Sequence, residues 1–187
     1  RYTDRQGGHA WHIDSLNISG SNVNPAKAFP LNADFTLSSF LVPEGQSREA
    51  EAQWVSQMKL DSQVKLGLDD GHYVLSDLKL NTNTQLAGTD GKQQKANLSF
   101  PSFDANLNTG RYVLENGTLE ASLSHPSLGE KVLPLSLTFA ADADLEAQTL
   151  RVSEWQLSGE NSLQLGGNLR VEQLLGAPQY RGQLTLE

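Results

Sequence analysis

The chain has 187 residues, of which 37% are hydrophobic and 19% charged, and its formal net charge is −8. This length suffices for one good-sized core or for a run of repeated units. The absence of cysteine excludes disulfides, thiolate metal ligands and cysteine nucleophiles. Lysine and arginine are scattered singly along the sequence, which argues against nucleic acid as a partner. No apolar run approaches the roughly 18 residues of a membrane helix.

The leucine pattern is the main indicator of secondary structure. Leucine occurs 30 times, against 9 valines and 2 isoleucines, and most leucines fall on alternate positions. Alternation is the spacing of a strand with one apolar face, so the pattern overrides the helix propensity of leucine. Residues 29–37 alternate in this way, and residues 54–68 keep one parity over 15 positions. The second run predicts either an unusually long strand or a strand with a bulge.

Turn residues divide the alternating stretches into hairpins. Turns are predicted at 69–71, 108–110 and 146–148, which are spaced by 39 and 38 residues. The returning strand of the first hairpin changes parity between Leu75 and Leu78, which predicts a bulge near Ser76 and Asp77. A similar change is predicted at Pro101. We therefore expect about ten strands in an antiparallel meander of repeated hairpins, with a weaker copy of the unit at residues 7–18.

The sequence leaves two structural questions open: whether residues 47–58 form a helix or a strand, and whether the sheet is open or closed. Residues 47–58 could instead form a helix with Ala50, Trp54, Val55 and Met58 on one face. The leucine-rich face must also be covered, because leaving some twenty leucines in water would cost tens of kcal/mol. The predicted fold is all-β, a strongly curved sheet or open β-groove, and the alternative is a closed β-sandwich. We interpret residues 1–187 as a single β-rich region and as an internal piece of a larger protein.

The sequence contains no arrangement typical of an active site. His9 and His12 are three residues apart, so on a strand they point to opposite faces and would not share a metal ion. Asp142 and Asp144 share a face but lack the further ligands of a calcium loop. No serine lies in a G-x-S-x-G turn. We therefore expect no enzymatic activity, no metal site and no cofactor.

Aromatic residues recur soon after the turns. Tyr73, Tyr112, Trp11 and Trp155 fall where a strand begins its return. They could cap the core near the rim of the sheet. Alternatively, they could form an amphipathic collar near lipid headgroups, since tyrosine and tryptophan suit an interface that is apolar on one side and wet on the other.

The stretch ADLEAQTLRVSEWQLSGENSLQLGGNLRVEQLLGAPQYRGQLTLE at 143–187 resembles the AsmA family of bacterial envelope proteins. Gly167, the LLGAP segment at 174–178 and Gly182 are its more specific part. The stretches 29–39 and 64–80 also resemble the middle of such proteins. The remaining matching positions are Leu150, Val152, Leu157, Leu163, Leu165, Leu169 and Leu184.

The resemblance implies a periplasmic body tethered to the inner membrane through a helix absent from this sequence. It also implies a role in phospholipid transport to the outer membrane and in outer-membrane assembly. The expected partners are phospholipid acyl chains, other parts of the same chain, and envelope proteins of the inner or outer membrane. The leucines expected to line the groove are Leu66, Leu68, Leu80, Leu98, Leu107, Leu119, Leu133, Leu135, Leu137, Leu157, Leu163, Leu165 and Leu169.

Two other functions remain open at this point. One is a structural or protein-interaction β-sandwich module of the envelope that holds no lipid. The other is a carbohydrate-binding or adhesin sandwich, for which rows of exposed aromatic residues would be expected on the outer face.

Overall fold

The computed structural model describes residues 2–4, 9–41, 52–87, 93–124, 129, 131–160 and 163–186. These residues form one antiparallel sheet in which each strand pairs with its neighbours in sequence. The predicted all-β meander is confirmed. The strands are β1 (Tyr2–Asp4), β2 (His9–Gly20), β3 (Phe29–Leu41), β4 (Ala52–Gly67), β5 (His72–Leu86), β6 (Gln93–Asn106), β7 (Arg111–Ser124), β8 (Val132–Asp144), β9 (Thr149–Gly159), β10 (Gln164–Glu172) and β11 (Gln179–Leu186).

The sheet is not closed into a barrel. Strand β1 pairs with β2 and β11 pairs with β10, so each end of the meander leaves one sheet edge open. The described strands belong to this one sheet, not to two packed sheets. The accessible surface of 12323 Å² exceeds the roughly 8,800 Å² expected for a compact monomer of this mass. This excess is what a chain arranged largely as one layer would expose.

The longest strand, β4, has 16 residues and pairs with β3 and β5 over most of its length. The alternative of a helix over 47–58 is wrong for residues 52–58, which lie in this strand, and residues 47–51 lie outside the described ranges. β4 has a register shift only just before the run 54–68, at Gln53, where Ser39 and Phe40 pair with Trp54 and Ala52. The other shift in its pairing comes from an extra residue in β5, where Asp77 has a φ of 52°. The bulge predicted near Ser76 and Asp77 is therefore confirmed.

The bulge is a repeated feature of the meander. Ser15, Asp77, Asn116 and Glu154 all have positive φ and lie within β2, β5, β7 and β9. Each lies where the pairing with a neighbouring strand shifts register. An extra residue at a bulge changes which sequence positions point to which face. Apolar residues on either side of a bulge, such as Leu75 and Leu78, therefore lie on the same face although their parity in the sequence differs.

The hairpin turns at one end of the sheet are joined to each other. Gly71 and Gly110 have φ values of 63° and 64°, the region that glycine adopts most readily, and Gln148 has a φ of 52°. In each case a leucine amide donates to the carbonyl that closes the preceding turn: Leu107 to Gly71 at 2.8 Å, Leu145 to Gly110 at 2.9 Å, and Leu174 to Gln148 at 3.2 Å. These bonds link successive hairpins beyond the strand pairing itself.

Candidate binding faces of the sheet

Eight leucines form a continuous row across the sheet, one from each of the strands β4 to β11. The register pairs each of them with the next, in the order Leu60, Leu80, Leu98, Leu119, Leu137, Leu157, Leu165 and Leu186. The row continues through Ala33 in β3 and Ile18 in β2. We call these residues the leucine ladder, and the side of the sheet that carries them the apolar face. With neighbouring strands about 4.8 Å apart, the eight leucines extend over about 34 Å.

Most of the ladder leucines keep part of their side chain accessible. Those of β4 to β10 are half-buried, and Leu186 on the edge strand is 71% exposed. Full burial on this face is confined to a few side chains, among them Val64, Leu78 and Phe100. Within the described residues, the leucine ladder therefore keeps apolar surface available to a ligand or partner.

In the next row of the apolar face, at the level of the bulges, two aromatic side chains each lie opposite a glycine of a neighbouring strand. Phe139 lies opposite Gly117, and a β-carbon placed on this glycine would be 2.9 Å from the ring carbon Cζ. Trp155 lies opposite Gly167 in the same way. Ring stacking across glycine buries aromatic surface within a single layer. Gly117 is buried, and Phe139, Trp155 and Gly167 are half-buried.

The structure brings ten of the thirteen predicted lining leucines onto the apolar face. These are Leu66, Leu80, Leu98, Leu119, Leu133, Leu135, Leu137, Leu157, Leu165 and Leu169. Leu68 and Leu107 lie in turns and are 62% and 56% exposed, and Leu163, just before β10, is 40% exposed. Contact of any of these leucines with lipid stays a prediction.

A cleft of about 890 Å³ lies on the opposite side, which we call the polar face. On β3, β4, β5 and β7 it contacts two polar side chains and the residue between them, whose own side chain belongs to the apolar face. It is lined by Ser15, Asp34, Phe35, Thr36, Gln57, Met58, Lys59, Asn81, Thr82, Asn83, Lys95, Asn97, Glu120, Ala121, Ser122, Pro134, Leu135, Ser136, Ser158 and Gly159. Of the predicted lining leucines, Leu135 alone contacts this cleft.

Amides, hydroxyls and charges of both signs line much of the cleft, together with apolar residues such as Phe35 and Met58. Asp34 lies opposite Lys59, and Asn81 lies opposite Asn97. The Oδ1 atom of Asn83 is buried and has no hydrogen-bond partner among the described residues. Such a wall can hydrogen-bond a polar ligand but offers no clustered acid, base and nucleophile. Sequence reasoning missed the cleft because its residues come from eight strands and form no local motif.

The histidines and paired aspartates are engaged in local contacts. His9 stacks near Trp11 at 5.9 Å and His12 lies 4.6 Å from the ring of Phe40. The two side chains thus belong to opposite faces, as predicted. His72 Nε2 lies 2.7 Å from Asp104 Oδ2. Among the described residues no group of three potential metal ligands comes together.

Asp142 and Asp144 lie on the same face of β8, as predicted, but they make different contacts. Asp142 lies 3.8 Å from Arg111, and Asp144 accepts a hydrogen bond from the amide of Ala147 at 2.7 Å. Asp142 thus takes part in charge pairing, and Asp144 takes part in turn formation. His125 lies outside the described residues.

The four aromatic residues singled out in the sequence all belong to the apolar face. Tyr73 and Tyr112 share one row near the turns, separated by Ala105. Trp155 lies one row beyond the ladder and Trp11 lies at the β2 end of the sheet. Only the two tyrosines thus share a level, and they are half-buried.

No family model matches this chain, and neither a curated protein nor a solved structure matches it significantly. Within the described ranges, no helix is both long and apolar enough to cross a membrane.

Proposed function

We propose that this chain is a non-enzymatic segment of an AsmA-like envelope protein whose apolar face holds phospholipid acyl chains. In this role it contributes to phospholipid transport between the inner and outer membranes and supports outer-membrane assembly. It would act in the periplasm, tethered to the inner membrane by a helix outside this sequence. The observation that carries the proposal is the unbroken leucine ladder on a face that no described element covers.

The dimensions of the ladder suit acyl chains. Its length of about 34 Å exceeds one leaflet's share of the roughly 30 Å hydrocarbon core of a bilayer. An acyl chain on this face would remove apolar surface of both partners from water. At roughly 25 cal/mol per Å², covering about 50 Å² of each half-buried leucine would contribute about 1 kcal/mol per residue. Several leucines acting together would retain a chain without any specific polar contact.

Uniformity of the ladder favours movement of a bound chain. Each strand from β4 to β11 presents the same side chain at the same level. Neighbouring positions of a bound chain would then differ little in free energy, so no single position traps it. Dispersion and hydrophobic burial are non-directional, unlike hydrogen bonds, and tolerate this sliding.

A second candidate is a structural or protein-interaction module of the envelope that binds no lipid. Its supporting observation is the cleft of about 890 Å³ on the polar face, which offers a hydrogen-bonding surface to a protein partner. In this case the half-buried leucines would serve lateral packing within the sheet.

Expression in the periplasm of a Gram-negative host, followed by native mass spectrometry and lipid extraction, distinguishes the two candidates. The first candidate predicts co-purifying phospholipid that is lost in Leu165→Asp. The matched control is Asn168→Asp, an exposed position on the polar face of the same strand. Thermal unfolding of both variants shows whether each remains folded.

The outcomes separate clearly. Lipid lost in Leu165→Asp and retained in Asn168→Asp, with both variants folded, supports the lipid-binding face. A stable, lipid-free protein before any substitution supports the structural module. Equal lipid loss in both variants contradicts binding at the leucine ladder.

A further inference from the structure

Three arginines lie side by side on the polar face near the β11 edge. The register pairs Arg151 of β9 with Arg170 of β10, and Arg170 with Arg181 of β11. Directly opposed residues of antiparallel strands are only about 5 Å apart at Cα. Like charges in such positions repel and destabilise the sheet. This arrangement stands out in a chain whose net charge is −8.

Nearby carboxylates neutralise the arginine row only in part. Asp142 lies opposite Arg151 but is 3.8 Å from a fourth arginine, Arg111. Glu172 Oε1 lies 2.9 Å from the Nε of Arg170.

The arginines at the two ends of the row have no carboxylate partner among the described residues. The side chains of Arg151 and Arg181 are exposed and form no ion pair with any described residue. Asp144 lies two residues beyond Asp142 on the same face of β8, and its carboxylate already accepts a hydrogen bond from the turn amide of Ala147. The row therefore carries surplus positive charge, with guanidinium groups free to bind an anion.

We propose that Arg151, Arg170 and Arg181 form a binding site for a phosphate group. Guanidinium groups donate paired N–H bonds that match the oxygens of phosphate. Two neighbouring arginines can engage one phosphate from both sides, and bound phosphate offsets the repulsion within the row. The phosphate comes either from a phospholipid headgroup or from a soluble phosphate compound, and the row binds the chemistry common to both.

This site is independent of the leucine ladder. The arginines lie on the polar face, whereas the ladder leucines of the same strands, such as Leu165, lie on the apolar face. A variant that loses acyl-chain binding should keep the phosphate site, and the converse should also hold.

Two binding assays test the site on the intact chain. Titration with inorganic phosphate followed by ³¹P NMR measures the soluble ligand. Flotation with phosphatidylglycerol vesicles, compared with neutral phosphatidylcholine vesicles, measures the headgroup. Arg181→Gln should weaken binding about tenfold through loss of charged hydrogen bonds. Arg181→Lys keeps the charge but loses the paired donors, so its affinity for phosphate should lie between that of the unmodified protein and that of Arg181→Gln.

The matched control is Lys79→Gln, which removes one positive charge from the polar face of β5, far from the arginine row in strand order. Its affinity should stay within about twofold of the unmodified protein, since exposed charges beyond about 10 Å are screened. Thermal unfolding checks that each variant folds.

Arginine-dependent binding of both probes identifies a headgroup site, and binding of inorganic phosphate alone identifies a site for soluble phosphates. The proposal is overturned if the protein binds neither inorganic phosphate nor phosphatidylglycerol vesicles. Equal weakening by Arg181→Gln and Lys79→Gln also overturns it, because that result reflects net charge alone.

Discussion

The indole of Trp155 lies over Gly167, so that a β-carbon placed on this glycine would be only 3.2 Å from Trp155 Cζ2. The same β-carbon would collide with the carbonyl oxygen of Gln183 on β11. The preceding residue, Gly166, has its nearest neighbour at 3.5 Å, an ordinary contact distance. Two consecutive glycines of β10 thus have very different packing constraints.

Gly167→Ala should destabilise the protein by about 1–3 kcal/mol, because the added methyl group meets backbone that cannot rotate away. Gly166→Ala should be neutral or stabilising by up to about 1 kcal/mol, since alanine loses less backbone entropy on folding. Urea unfolding of the two variants measures both free energies. Equal effects would contradict the close approach of β10 and β11 at Gly167.

The bulge residues provide a second test. Glu154 adopts a φ of 53°, a conformation that disfavours side chains other than glycine, asparagine and aspartate. Glu154→Gly should therefore leave the free energy of unfolding unchanged or raise it by up to about 1 kcal/mol. Glu120→Gly is the control, because this exposed glutamate lies in regular strand, and glycine there should cost about 0.5–1 kcal/mol. Destabilisation of equal size at both positions would argue against the bulge in β9.

The leucine ladder provides a third test, of stability. Leu98 is half-buried between Leu80 and Leu119, and Leu98→Ala should lower the free energy of unfolding by about 1–2 kcal/mol. Leu68 in the turn is 62% exposed, so Leu68→Ala should cost less than about 0.5 kcal/mol. Chemical denaturation provides the comparison. A cost at Leu68 as large as that at Leu98 would mean that lateral packing within the ladder contributes little.

Much of the fold could be predicted because its determinants are local. Alternation of apolar residues identified the strands, and the change of parity between Leu75 and Leu78 located the bulge that Asp77 forms. Turn glycines such as Gly71 marked the hairpins. The run at 54–68 predicts either one long strand or a strand with a bulge, because the spacing of apolar residues alone does not fix the length of a strand.

The candidate sites were harder to predict because they depend on register across strands. Arg151, Arg170 and Arg181 are 19 and 11 residues apart in sequence, so they read as scattered charges until the strands are paired. The polar cleft likewise joins residues of eight strands. The leucine face was predictable as a pattern, but the placement of Leu68 and Leu107 in turns shows that parity alone does not define which leucines a strand presents.

The measurement that tests the central proposal most directly is a photo-crosslinking scan along β8 in the periplasm. A benzophenone side chain is placed in turn at Leu135, Ser136, Leu137 and Thr138, and crosslinked phospholipid is detected by mass spectrometry. The register assigns Leu135 and Leu137 to the apolar face and the other two to the polar face. Acyl-chain binding at the leucine ladder predicts lipid adducts at Leu135 and Leu137 and none at Ser136 and Thr138. Adducts of equal yield at all four positions, or adducts at none, would contradict it.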